Sequence, residues 1–85
     1  MLSSCVTYDF KNSKNEYFGG AISPGLHMRY KAMHTFTEKL PLLEPEEEVS
    51  LIGNSTRNSM HTGAIMGLTA EIDGMIDAYR AVIKN

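Results

Sequence analysis

The stretch from Ser55 to Ile83, STRNSMHTGAIMGLTAEIDGMIDAYRAVI, decides the architecture expected for this chain. Apolar and small residues recur in it at intervals of three and four, and no proline interrupts it, so the pattern predicts one long helix over 55–83. At about 1.5 Å per residue this helix extends for roughly 40 Å, whereas a compact domain of this length has a radius of gyration of about 12 Å. We therefore expect the helix to extend beyond its own domain.

The predicted long helix has two faces that could be buried. The large apolar side chains of one face are expected to cover a sheet; they are Ile65, Leu68, Ile72, Ile76, Tyr79 and Ile83. The nearly opposite face is made of small residues, namely Gly63, Gly67, Ala70, Gly74 and Ala81. This small face allows the close approach either of an element outside this chain or of the chain's own first helix. The flank between the faces is expected to stay in solvent; it comprises Thr62, Thr69, Asp73, Asp77, Arg80 and Lys84.

The N-terminal half reads as a β-hairpin over 5–22 followed by a helix over 24–39. Two runs of β-branched and aromatic residues flank a polar cluster of turn formers, which is typical of a hairpin. The Gly19-Gly20 pair in the second run indicates either a bulge or the close approach of another backbone or a ligand. Ser23-Pro24 is typical of a helix start, with Ser23 as the cap and Pro24 at the first helical position. One apolar stripe is then expected to face the core: Leu26, Tyr30, Met33, Phe36 or Thr37, and Leu40.

The segment between the two helices is expected to be irregular. Residues 41–48 contain two prolines and a run of glutamates, so we predict an exposed acidic loop without a binding role. A short apolar run over 49–52 predicts a strand, and Gly53-Asn54-Ser55 predicts a turn into the long helix. The expected fold class is therefore α/β.

Composition narrows the classes of function. The chain has 85 residues, a net charge of −2 and a single cysteine. One domain at most fits this length, and the slight negative charge argues against nucleic-acid binding. A lone cysteine excludes an internal disulfide and indicates a reducing, cytoplasmic compartment. No apolar run is long enough to span a membrane, and no signal peptide is recognisable at the N-terminus, so no membrane partner is expected.

Residue chemistry taken alone predicts no catalytic or metal-binding residue. His27, His34 and His61 are too far apart for a local metal motif and are expected at the surface. Cys5 lies within a strand without a basic neighbour, so we expect an inert buried thiol. Asp73 and Asp77 receive no role. Ser55 or Thr56 at the start of the long helix either caps the helix or meets an anionic or carbonyl-bearing ligand.

Three motifs together resemble those of type III pantothenate kinases. The first is Gly19-Gly20-Ala21-Ile22-Ser23-Pro24-Gly25-Leu26, followed by Ala32-Met33, Thr37 and Leu40-Pro41. The second is Gly53-Asn54-Ser55-Thr56 with Met60 and Gly63, and the third is Met66-Gly67-Leu68 followed by Ile72-Asp73-Gly74-Met75-Ile76. Their order and spacing agree with the family over essentially the whole chain.

The resemblance implies part of an actin-like ATPase fold, made of ribonuclease-H-like domains, and an ATP-dependent kinase that phosphorylates pantothenate in the first step of coenzyme A synthesis. This chain resembles only the opening of the second domain. The family's catalytic base and its first phosphate-binding turn belong to the first domain, so this chain by itself is expected to be inactive. Mg²⁺ would accompany ATP, and a monovalent cation, K⁺ or NH₄⁺, is expected from the family.

The resemblance also implies two site residues and a homodimer. Ser4 aligns with a threonine that contacts ATP phosphates, and Thr56 aligns with a threonine that reaches pantothenate, in some members across a dimer interface. The small face of the long helix would then be a homodimer contact. Met1 stands where the family has its cation-binding aspartate, and Ser3 stands where it has glycine. These two departures favour the alternative of a non-catalytic self-association module, a degenerate relic of the fold.

Overall fold

The computed structural model describes residues 4–84, an α/β arrangement of one hairpin and helices. Strands β1 (Cys5–Lys11) and β2 (Tyr17–Pro24) form a two-stranded antiparallel sheet in which Cys5 pairs with Pro24. Helix α1 spans Leu26–Thr35. A long irregular segment then leads to α2 (Thr56–His61), a π-helical turn (Thr62–Met66) and α3 (Gly67–Lys84), which follow one another without a break.

The hairpin is present, and its turn depends on two asparagines. The Asn12 side-chain oxygen accepts hydrogen bonds from the backbone amides of Lys14 and Glu16, and Asn15 adopts a φ of +65°. Asparagine is well suited to both roles because its short side chain mimics a backbone turn and tolerates the left-handed conformation.

The sequence left two explanations open for the Gly19-Gly20 pair, a bulge or the close approach of another backbone or a ligand. The structure shows a bulge and a close backbone. A Cβ on Gly20 would lie 1.6 Å from the backbone oxygen of Tyr8, so the two strands approach too closely here for a side chain. The register also shifts between Phe10 and Lys11, and Gly19 has a φ of +98°. The close neighbour is thus the backbone of β1, and the glycines accommodate a bulge as well.

Helix α1 is shorter than predicted at both ends. Ser23 and Pro24 remain in the strand, so Gly25 is the N-cap and no side chain caps the helix. The helix ends at Thr35 rather than at residue 39, because the Thr37 hydroxyl donates to the Met33 carbonyl and the chain turns back towards the core. Phe36 lies outside this core and is 84% exposed.

The segment over 41–52 differs from its prediction in two ways. The predicted strand over 49–52 is absent, since Leu51 and Ile52 are exposed and the Ser50 carbonyl accepts a hydrogen bond from Thr62 instead. Leu43, inside the predicted solvated loop, is buried against Tyr30, Met60 and Ala64 and forms part of the core. A single apolar anchor therefore fixes an otherwise exposed loop.

The long helical stretch covers one face of the hairpin. The Tyr79 ring contacts Phe10 at 5.3 Å and Tyr8 at 6.4 Å between ring centroids, in edge-to-face geometry. Leu68 is buried, but Ile76 is 42% exposed, because the inward stripe passes through Met75 instead. The molecule measures 48 × 23 × 19 Å with a radius of gyration of 15.6 Å, so its long axis greatly exceeds the other two.

The small face of the long helix is open. A Cβ on Gly63, Gly67 or Gly74 would meet nothing within 4 Å, so α1 does not pack on these glycines. Helix α1 contacts the neighbouring buried position Ala64 instead. Of the two partners considered from the sequence, the chain's own first helix is the wrong one.

Within residues 4–84, no helix combines the length and the apolar character that a membrane crossing requires.

We expect Gly20→Ala to lower the free energy of unfolding by about 1–3 kcal/mol, because the new methyl group would force the paired strands apart. Urea denaturation followed by circular dichroism measures the change. Asp73→Ala is the control, since Asp73 is exposed on the flank of α3 and alanine favours a helix. A Gly20→Ala protein as stable as the parent would contradict the close approach.

Candidate functional site

Ser4 lies beside the start of α1. Its backbone carbonyl accepts a hydrogen bond of 2.9 Å from the amide of Gly25, and its side chain is exposed. Gly25 is buried, and a Cβ there would lie 2.8 Å from the Ser4 oxygen. The glycine thus brings the N-terminal end of β1 against the N-terminus of α1, where free amides favour a negatively charged group.

Thr56 opens α2, and Ser55 performs the capping that the sequence left undecided between them. The Ser55 hydroxyl oxygen accepts a hydrogen bond of 3.1 Å from the Asn58 amide. Thr56 is exposed, and its hydroxyl makes no hydrogen bond within residues 4–84. Capping therefore does not account for Thr56, whose hydroxyl remains available to a ligand.

A tight turn holds the first turn of α2. A Cβ on Gly53 would lie 2.4 Å from the Ser59 nitrogen, so only glycine fits there. The Asn58 side-chain amide also donates to the Asn54 side-chain oxygen at 2.9 Å. In the described part of the chain, no hydrogen bond joins Ser4 to Thr56; Ser4 lies beside the start of α1 and Thr56 at the start of α2.

His61 is buried, which corrects the expectation of a surface histidine. It is 2% exposed, and its Nδ1 lies 2.6 Å from the hydroxyl oxygen of Tyr30, which is 1% exposed. Its Nε2 lies 3.2 Å from a Glu46 oxygen, although the N–H direction is too oblique for a well-formed hydrogen bond. The sequence held a signal for this: His61, Ala64 and Leu68 follow the three-four spacing of a buried stripe.

Glu46 also contacts Arg57, so one residue of the acidic loop connects to α2 at two points. The Arg57 guanidinium donates to the same Glu46 oxygen at 3.1 Å. Burial raises the pKa of the Tyr30 hydroxyl, and the nearby negative charge of Glu46 raises it further. Tyr30 therefore stays protonated and can serve as a hydrogen-bond donor to His61.

A second polar cluster surrounds Glu71, a residue that sequence reasoning did not single out. One of its carboxylate oxygens accepts from the Tyr8 hydroxyl at 2.7 Å, and the other accepts from the Ser23 hydroxyl at 2.9 Å and from Arg29 at 2.7 Å. Arg29 also donates to the Pro24 carbonyl. The cluster joins both strands, α1 and α3, and its signal in the sequence was a carboxylate at helical spacing between Leu68 and Met75.

The Glu71 cluster shifts two pKa values in opposite directions. Hydrogen bonds from Tyr8, Ser23 and Arg29 hold the pKa of Glu71 below its ordinary value. Partial burial, followed by the bond to Glu71, raises the pKa of Tyr8. Both shifts favour the state in which Tyr8 donates to an ionised Glu71.

Other candidate residues stay apart from these clusters. Cys5 is free and only half buried, not fully buried as expected. Among the described residues 4–84, no three His, Cys, Asp or Glu side chains gather to hold a metal ion. Met1 and Ser3, at the expected cation and phosphate positions, lie outside the described residues.

Acid should weaken the fold partly through Glu71. The pKa of Glu71 is lower in the folded state than its ordinary value of 4.5. Its contribution to the free energy of unfolding is therefore fully present above pH 4.5 and is lost as the pH falls through the folded-state pKa. We expect Glu71→Gln to reduce stability at pH 7 but to lose less of it between pH 5 and pH 3 than the parent. Urea unfolding at each pH tests this, with the exposed Asp73→Asn as control; parallel pH profiles for Glu71→Gln and the parent would contradict it.

The sequence of this chain is similar to those of known proteins over most of its length. The sequence profile described as type III pantothenate kinase matches residues 1–78. A type III pantothenate kinase of Flavobacterium psychrophilum is 52% identical over 82 residues, covering 96% of this chain and 34% of the relative. Those of Flavobacterium johnsoniae and Cytophaga hutchinsonii are each 48% identical, over 96% and 93% of this chain and 34% of either relative.

The chain spans about a third of the length of the curated relatives it matches. The match nevertheless includes every motif on which the resemblance was based, from the Gly19-Gly20 pair to Ile76. This chain belongs to the type III pantothenate kinase family.

Proposed function

We propose that this chain is part of an ATP-dependent pantothenate kinase, which transfers the γ-phosphoryl group of ATP to pantothenate in the first step of coenzyme A biosynthesis. The hairpin and helices would open the second ribonuclease-H-like domain of an actin-like fold. A lone cysteine suits the reducing cytoplasm, where we place the enzyme.

The free hydroxyl of Thr56 is the observation that carries this proposal. Ser55 already caps α2, so an exposed threonine directly after the cap has no structural task among the described contacts. The family's pantothenate-contacting threonine aligns with this position. We infer that the Thr56 hydroxyl hydrogen-bonds pantothenate.

Ser4 would bind the phosphates of ATP. Its hydroxyl is exposed and lies next to the N-terminus of α1, which has no side-chain cap. The helix dipole and the uncapped amides add a favourable environment for phosphate oxygens. Serine retains the hydroxyl of the threonine found in relatives.

The reaction needs groups beyond this chain. A bond would form between the pantothenate hydroxyl oxygen and the γ-phosphorus while the β–γ bridging bond breaks and ADP leaves. The hydroxyl proton would pass to the aspartate of the family's Gly-x-Asp-Arg stretch, a motif that these 85 residues do not contain. We therefore propose that the chain is inactive unless it is joined to the rest of the enzyme, since phosphoryl transfer depends on alignment by both domains.

We propose no ligand from this chain for the monovalent cation, K⁺ or NH₄⁺, that the resemblance implies. Such cations favour carboxylate or carbonyl oxygens, whereas Met1 offers a thioether where the resemblance places an aspartate. We assign no step to that cation. Mg²⁺ would enter with ATP, bound mainly through the phosphates.

A homodimer through the small face of the long helix is the second element of the proposal. Gly63, Gly67 and Gly74 present an open strip on which a second helix could lie closely. Large exposed apolar side chains, including Phe36 at 84% and Ile52 at 82%, also favour association. The same strip supports the alternative candidate, a non-catalytic self-association module that binds neither ATP nor pantothenate.

A hybrid enzyme tests the kinase proposal. We would replace the matching third of the Flavobacterium psychrophilum kinase with this chain and measure pantothenate-dependent ADP formation. We expect activity, and we expect Thr56→Val to raise the KM for pantothenate about tenfold, the equivalent of one lost hydrogen bond. Ser4→Ala should raise the KM for ATP instead, and Thr69→Val, on the exposed flank of α3, should change neither. A folded hybrid that binds neither substrate would favour the self-association module.

The small face can be tested through the oligomeric state. We expect the 85-residue chain to sediment as a dimer or larger species and Gly74→Gln to shift it towards monomer, because a long side chain blocks close approach. Asp77→Gln, on the exposed flank three residues away, should leave association unchanged. A cleanly folded monomer of the parent chain at high dilution would contradict the dimer.

A further inference from the structure

We propose that Tyr30, His61 and Glu46 position Thr56 for pantothenate, acting through helix α2. This inference rests on the proposed function, in which the Thr56 hydroxyl contacts the substrate. None of the three residues belongs to a motif that carried the resemblance, and none would touch the substrate. They are positioning residues, not catalytic ones.

The two ends of α2 have opposite environments. Thr56 at its beginning is exposed, whereas Met60 and His61 at its end are 4% and 2% exposed. The helix has only six residues, so about 7–8 Å along its axis separates the buried end from the exposed hydroxyl. A change in the tilt or rotation of the buried end is therefore transmitted directly to Thr56.

The hydrogen-bonding chemistry fixes which way the His61 ring must be protonated when neutral. A carboxylate can only accept, so the nitrogen facing Glu46, Nε2, carries the hydrogen. Nδ1 is then the acceptor and takes the hydrogen of the Tyr30 hydroxyl at 2.6 Å. Tyr30 and His61 thus form a directional hydrogen bond between α1 and α2, and Glu46 of the acidic loop adds a close electrostatic contact at 3.2 Å from Nε2.

Glu46 extends these contacts to the first turn of α2. Its Oε1 atom lies 3.2 Å from His61 and 3.1 Å from Arg57, which are four residues apart on the same face of the helix. One carboxylate oxygen therefore contacts both turns of α2, through an exposed ion pair at Arg57 and a close contact at the buried His61. Thr56 immediately precedes Arg57, about 100° around the helix, and so projects away from the side that Glu46 contacts.

Apolar packing alone would not define this orientation. Met60 and Leu43 bury the end of α2 in the core, but such contacts are non-directional. The Tyr30–His61 and Arg57–Glu46 hydrogen bonds are directional, and together with the close contact between His61 and Glu46 they join three separate segments of the sequence. These contacts connect Tyr30 in the core to Arg57, the residue next to Thr56.

The test uses Tyr30→Phe and Glu46→Gln in the hybrid enzyme described above. Each should raise the KM for pantothenate about fivefold, less than Thr56→Val because the substrate contact is displaced and not removed, and leave the KM for ATP unchanged. Glu47→Gln is the matched control, because Glu47 is the exposed neighbour of Glu46 and its side chain makes no hydrogen bond or ion pair within residues 4–84. A merely structural role would reduce the amount of folded enzyme without moving the KM for pantothenate, and that result would overturn the inference.

Thr56→Val separates failure of this inference from failure of the proposed function. If Thr56→Val raises the KM for pantothenate while Tyr30→Phe and Glu46→Gln do not, only the positioning role is overturned. If Thr56→Val has no effect, the substrate role of Thr56 fails and the positioning role fails with it.

Amide hydrogen exchange of the complete 85-residue chain gives a second measurement that needs no activity. The amides of Asn58 and Ser59 both bond to Ser55, across the first turn of α2. We expect Glu46→Gln to accelerate their exchange at least several-fold while amides in the middle of α3 keep the parent rate. Unchanged exchange at Asn58 and Ser59 would overturn the inference.

Discussion

The arrangement of this chain depends on the hydrogen bonds that the Glu71 carboxylate accepts. The carboxylate accepts hydrogen bonds from β1 through Tyr8, from β2 through Ser23 and from α1 through Arg29, while it is itself carried by α3. Four elements that share few buried apolar residues are thereby held in one orientation. A core this small leaves orientation weakly specified by packing, so directional charge-assisted bonds have a correspondingly large effect.

Directional polar contacts also act at His61, next along α1 from the Glu71 cluster, since Arg29 bonds to Glu71 and Tyr30 bonds to His61. His61 is almost fully buried, and a buried imidazole is tolerated only when its nitrogens meet polar groups. The Tyr30 hydroxyl bonds to Nδ1, a Glu46 oxygen lies 3.2 Å from Nε2 without a well-formed hydrogen bond, and Glu46 also accepts from Arg57 beside Thr56. Polar contacts therefore run from the buried His61 through Glu46 to Arg57, which is next to Thr56, the surface residue at which we propose that pantothenate binds.

Local sequence patterns predicted which helices and strands form better than they predicted where these elements begin and end. The hairpin was predictable because turn-forming asparagines separate two β-prone runs, and those patterns operate over a few residues. The start of α1 was not predictable in this way, because serine before proline is typical of a helix cap. In the structure Ser23 instead pairs with Val6 across the hairpin, and its hydroxyl donates to Glu71. Likewise Ile52 was assigned to a strand, but a strand needs a partner, and no such partner is paired with it in the described chain.

The sequence by itself determined the α/β class, the small residues along one face of the C-terminal helical stretch and the family, since these follow from periodicity and from motifs in a fixed order. The division of that stretch into α2, a π-helical turn and α3 appears only in the structure. The assignment of Thr56 needed the structure, because Ser55 and Thr56 are equivalent as caps until one is seen to bond the Asn58 amide. The roles of Glu71 and His61 were decided only by tertiary structure. Each depends on a hydroxyl group at least 31 residues distant in sequence, that of Tyr8 or Ser23 for Glu71 and that of Tyr30 for His61, and sequence spacing does not encode which distant hydroxyl a polar atom will meet.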